Sequence, residues 1–174
     1  MSIKKSESFS EFITCYHFCT KQWLKDLETE KVIKPIFTST DGYCRIGAYN
    51  KLMSHLNFSS LVFYWENLED IQQYKNNFTL GTGDYFLLTL QIPRRLCVTM
   101  NYYNWCDFLF SFVYAKTEEE VLKAMHQEFG NDATLEQLLG DSFKVSSEDL
   151  IQIVTEYCKF DWVTKIEQVD KLVI

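Results

Sequence analysis

The stretch Phe-Ile-Thr-Cys-Tyr-His-Phe at residues 12–18 decides the reading of the fold. Its aromatic and β-branched content favours a strand, which places a sheet at the start of the chain. A helix is the rival. Phe9, Phe12, Ile13 and Tyr16 also fit helical spacing, and Ser8 with Glu11 makes a capping box. The strand is preferred because other stretches join it. Tyr85 to Ile92 reads as a strong strand ended by Pro93, Leu96 to Met100 as a second, and Leu61 to Trp65 as a short apolar one.

Between these strands the spacing predicts helices. Thr20 caps one that runs to about Lys31, with Trp23, Leu24 and Leu27 facing inward and Pro35 as its stop. Ile46 to Leu56 forms another, and Asn67 opens a third through about Tyr74. The aromatic run from Tyr102 to Val113 reads as a buried helix, with a strand as the alternative. Thr117 with Glu120 is a capping box for a helix that Gly130 closes, and Thr134 to Leu139 is a short helical turn ended by Gly140. Ser146 with Asp149 caps a helix whose inner stripe is Leu150, Ile151, Val154, Tyr157 and Cys158. Trp162, Ile166, Val169 and Val173 stand at helical spacing, though their β-branched content also allows a strand. Residues 1–8 read as a mobile arm, and 36–43 and 76–84 as loops. Gly81 and Gly83 precede a strand, whereas a nucleotide-binding loop follows one and opens a helix.

The expected class is α+β: a small mixed or antiparallel sheet with flanking helices, followed by an acidic helical C-terminal part. Charge suggests where the parts meet. Residues 1–116 hold 12 Lys+Arg and 11 Asp+Glu, whereas residues 117–174 hold 5 against 13. The expected organisation is therefore an α+β core over 1–116 with an acidic helical part over 117–174 packed on it, one compact domain in all. The 174 residues suffice for a real core without disulfides or metals.

A net charge of -7 argues against direct nucleic-acid binding through a basic surface. No apolar run approaches the ~18–20 residues that span a bilayer, so no membrane partner is expected. The six cysteines lie scattered in apolar surroundings and no apolar leader precedes them, which fits reduced thiols in the cytoplasm. No G-x-S-x-G elbow and no H-E-x-x-H pair is present, so no catalytic residue is assigned. Cys15, His17 and Cys19 share a strand face and suit zinc by type. Same-face neighbours on a strand stand about 6–7 Å apart, and a fourth ligand is missing, so no metal is assigned and no cofactor expected. The carboxylate pairs Glu69–Asp70, Glu118–Glu120 and Glu148–Asp149 sit at helix starts, where the helix dipole accounts for them. Arg94 and Arg95 are the densest basic point, beside Tyr102, Tyr103 and Trp105, and together they suit a phosphate or a base.

Two family resemblances rest on quoted motifs. FITCYHF (12–18), the Trp23 helix, AYNKLM (48–53), LVFYW (61–65) and LLTLQIPRRLCVTMNYYNW (87–105) resemble a bacterial domain family of unknown function, the one numbered thirty-eight forty-one. Trp65, Pro93 and Trp105 match that family's pattern. Cys106 stands where the pattern has histidine, and Phe110 departs near the motif's end. Separately, YHF (16–18) followed by a helix and FTST (37–40) resembles the opening of the ADP-ribosyltransferase-like fold. That resemblance implies His17 at an NAD ribose and Tyr43 or Tyr49 near the nicotinamide; Arg94 and Arg95, from the basic cluster above and not from the resemblance, complete the candidate nucleotide contacts. The fold's closing catalytic glutamate has no match in this chain.

The expectation for function is a non-enzymatic interaction protein. Its acidic residues Glu118, Glu119, Glu120, Asp132, Glu136 and Asp141 would face a basic, nucleic-acid-binding protein. Size, acidity and missing catalytic motifs suit a phage or mobile-element factor that blocks host defence, such as an anti-CRISPR inhibitor. The alternative is an ADP-ribosyltransferase-like domain binding NAD or a nucleotide end, active or not. The aromatic run 102–114 reads either as core or as the surface of a homodimer.

Overall fold

A computed structural model describes residues 11–36, 43–69 and 84–169, with side chains at all of these except 43–45. In chain order the elements are β1 (Phe12–Thr20), α1 (Lys21–Glu30), β2 (Val32–Ile33), α2 (Tyr43–Leu56), β3 (Val62–Trp65), β4 (Tyr85–Pro93) and β5 (Val98–Asn101). They continue with α3 (Tyr102–Phe110), α4 (Glu118–Phe129), α5 (Leu135–Asp141), β6 (Ile151–Thr155), β7 (Cys158–Lys159) and β8 (Val163–Val169). The fold is α+β. Six strands form one sheet in the order β5-β6-β3-β1-β4-β8, and every neighbouring pair is antiparallel. β2 and β7 make a separate antiparallel pair.

The stretch 12–18 is a strand, and β1 runs on to Thr20. It pairs along its length with β4, from Phe12 opposite Pro93 to Thr20 opposite Tyr85. Its alternation is the reason: Ile13, Cys15 and Cys19 are buried together on one face. Thr20 then caps α1 by accepting a hydrogen bond from the Trp23 N–H. The helix ends where the spacing placed it, at Glu30 with Lys31 as its cap, and that cap rather than Pro35 is what stops it. Lys31 takes the left-handed conformation (φ 64°) and its N–H closes on the Leu27 carbonyl.

Each face of the sheet carries its own core. On one face Leu88, Leu90 and Ile92 of β4 join Cys15, Tyr64 and Ile153 beneath α1 and Trp162. On the other, Met100 and Val154 meet Ala48 and Leu52 of α2, Trp105 and Phe108 of α3, and the inner residues of α4 and α5. Val121 and Met125 of α4, and Leu135 and Leu139 of α5, are the buried positions that a 3.6-residue period selects. Thr117 caps α4, and Thr134 with Gln137 forms a full capping box on α5.

The last third departs from expectation. Residues 150–158 are not a helix but β6 and β7, and 163–169 is β8 rather than a helix. The Ser146 N–H does donate to the Asp149 carboxylate, yet the chain then enters β6. All five β6 residues are buried because the strand is covered on both faces, and such an apolar run fits either period. The acidic C-terminal part is thus two helices followed by three strands. The charge change near Lys116 is no boundary in the fold, since β6 sits between β5 and β3. Two limits also shift: α3 ends at Phe110, not Val113, and α5 continues past Gly140 to Asp141. The expected arm at 1–8, the glycine loop near 81–83 and most of the helix from Asn67 lie outside the described residues.

Candidate functional site

A cleft of about 440 Å³ opens on the sheet face that carries α2 and α3. Phe63 of β3 and Gln152 of β6 contribute from the sheet, Tyr49 from α2, and Tyr102, Trp105 and Leu109 from α3. Gly47 lets α2 come close, because a Cβ there would stand 3.1 Å from the Phe112 ring. The rings are layered. Trp105 lies nearly parallel to Tyr49 (26°, centroids 6.3 Å apart) and to Phe63 (23°, 6.0 Å), and Trp65 tilts against Tyr102 at 5.0 Å. Phe110 and Val113 stand exposed at the rim, and Tyr103 (60% exposed) and Tyr114 (87% exposed) lie on the outward side of the same run. The helix period therefore divides the aromatic run 102–114. Trp105, Phe108 and Phe112 are core, while Tyr103, Phe110 and Tyr114 face out.

Gln152 is the polar anomaly of this cleft. It is 8% exposed, and its Oε1 has no hydrogen-bond partner among the described residues. Buried side-chain oxygens are nearly always paired. Cys106 also lines the cleft, but burial raises its thiol pKa, against a lowering hydrogen bond with Tyr102, so it is no ready nucleophile.

The expected nucleotide residues do not converge. His17 belongs to the opposite face, packed against Trp23 at 4.6 Å and Tyr64 at 5.5 Å. Its Nδ1–H donates to the Phe63 carbonyl across 2.8 Å. Burial lowers its pKa to about 4, although the carbonyl bond works the other way. Tyr49 lines the cleft, so the sheet stands between it and His17. The Tyr43 side chain lies outside the described residues. Arg94 and Arg95 are exposed in a 3-10 turn after β4. Arg95 lines a smaller cleft of about 210 Å³ with Phe58, Tyr157 and Trp162. There the Glu156 carboxylate accepts from Ser59 N–H and Oγ–H and meets Lys34, which together lower its pKa.

The six acids divide in two. Glu118 pairs with Lys51 at 3.7 Å, Glu120 accepts from the Lys116 N–H at the start of α4, and Asp141 pairs with Lys144. Glu119, Asp132 and Glu136 are exposed and have no ion-pair partner among the described residues. Glu119 borders a shallow depression on the outer side of α4 with Leu122, Lys123 and His126.

Cys15 and Cys19 do share a face with His17, and burial raises their thiols, Cys19 to about 12. Among the described residues no three His, Cys, Asp or Glu side chains are grouped to hold a metal ion, and no helix is long and apolar enough to cross a membrane. No protein-family model, curated protein or solved structure matches this chain. The two family resemblances rest on their motifs alone.

Gln152 escaped the sequence reading because a helix assigned to 150–158 places it on the outer side. A single amide within the apolar run Ile151-Gln-Ile-Val154 was the available signal.

Proposed function

We propose that the protein works by binding a basic protein partner, of the nucleic-acid-binding kind, through the acidic surface of α4 and α5. One observation carries this reading: Glu119 on α4, Asp132 in the turn that follows it and Glu136 on α5 stand exposed and are not neutralised within the described residues. They lie where acids outnumber bases 13 to 5. Like charge gathered over one region repels itself, and an apposed cationic surface relieves that repulsion. The same field speeds encounter with a basic protein and weakens as salt screens it. Covering a partner's basic groove would exclude nucleic acid from it, which suits a phage or mobile-element factor acting against host defence.

The test uses the wild-type protein and a variant carrying Glu119→Lys, Asp132→Lys and Glu136→Lys. Both are used to capture proteins from a host lysate at low and high salt, and bound proteins are identified by mass spectrometry. Support is a nucleic-acid-binding protein that wild type captures at low salt and that the variant and high salt both release. The same capture by wild type and variant overturns the reading.

A further inference from the structure

We propose that the cleft between α2, α3 and the β3–β6 surface binds a small, neutral, flat heteroaromatic molecule bearing an N–H donor beside an acceptor. Nucleobases and aromatic carboxamides both present that edge.

Four observations converge on this chemistry. The volume, about 440 Å³, lies within the range of small-molecule sites. Among the described residues the lining carries no charged side chain, so an ionic ligand would lose its hydration without compensation. The half-buried rings of Tyr49 and Phe63 are layered on the buried Trp105 in near-parallel or tilted stacks, the surface on which a flat ring stacks. The fourth observation selects the edge. Gln152 lies in the wall, nine-tenths buried, with Oε1 lacking a partner among the described residues. An amide holds an acceptor and a donor side by side, and a half-turn of its last torsion exchanges them. Its complement is a ring edge with the same pair reversed. An apolar residue would serve the core better at this position, so the amide is explained by what it reads.

The experiment titrates the full-length protein with adenine, nicotinamide and indole, followed by tryptophan fluorescence and by thermal shift. Adenine or nicotinamide should bind and raise Tm, and the tighter of the two identifies the source of the edge. Indole, with a donor but no neighbouring acceptor, should bind at least tenfold more weakly. Gln152→Leu and Gln152→Met should each lose binding at least tenfold while melting at or above the wild-type temperature. Tyr49→Ala keeps the amide and removes a ring wall, so it should weaken every probe. The proposal is overturned if neither adenine nor nicotinamide binds, if indole binds equally well, or if the Gln152 variants bind like wild type.

Discussion

The two faces of the sheet bury comparable cores but treat their polar groups differently. On the α1 face, Tyr64 is fully buried and its hydroxyl meets Thr155 Oγ1 at 3.1 Å, which in turn donates to the Tyr157 carbonyl at 2.6 Å. His17 on that face is likewise bonded to Phe63. On the α2–α3 face, Gln152 Oε1 and Ser111 Oγ have no partner among the described residues, and the rings leave a cleft rather than a seal. A closed face whose Tyr64, Thr155 and His17 are all hydrogen-bonded serves stability. An open face with an orphaned amide marks where the molecule can still gain by meeting something else.

The contrast is sharpest for truncations. Leu90→Ala removes a fully buried side chain from the closed face and should cost about 3 kcal/mol. Leu109→Ala beside the cleft should cost about half as much, because that side chain is only partly enclosed. Urea midpoints at equal m-value measure both, and equal losses would erase the distinction between the faces.

Acid should act first on the closed face. His17 titrates near 4 when folded, below its ordinary 6.5, so protonation favours the unfolded chain. Its share of stability is complete above pH 6.5 and is lost as pH falls toward 4. The difference between pH 7 and pH 4.5 should be about 2–3 kcal/mol. His17→Phe should show a correspondingly shallower acid decline in urea titrations at the two pH values. An unchanged slope would mean the imidazole is not held neutral by its surroundings.

Removing single polar atoms should give opposite signs on the two faces. Tyr64→Phe breaks a satisfied network and should lose about 1 kcal/mol, whereas Gln152→Leu removes an unpaired acceptor and should be neutral or gain about 1 kcal/mol. Thermal melts of both variants decide it, and a loss at Gln152 would show that its amide is already answered. Smallest of all, the triple charge reversal across α4, the turn after it and α5 should alter folding stability by less than about 0.5 kcal/mol. A larger loss would make those acids part of the scaffold and not a docking surface.

Much of this architecture was legible where local signals agreed with the tertiary outcome. β1 and β4 announce themselves by composition and alternation, and Thr20, Thr117 and Thr134 act as caps where spacing placed them. β6 was not legible, because burial on both faces erases the period that separates strand from helix. The cleft was half legible. Tyr49 and the run 102–114 stood out as aromatic, but the division between core and rim depends on where α3 begins. Gln152 was hidden by the same ambiguity that hid its strand.

The position of β6 bears on how the protein is made. Residues 151–155 fill the gap between β5 and β3, yet they follow β5 only after α3, α4 and α5 have been synthesised. Until they emerge from the ribosome, β3 and β5 each present an open hydrogen-bonding edge that another chain can pair with. Closure of the sheet then waits on contacts between residues far apart in sequence, a topology that folds slowly. A chain stopped near residue 116 would keep both edges open to pairing, so it is the synthesis of β6 that removes them.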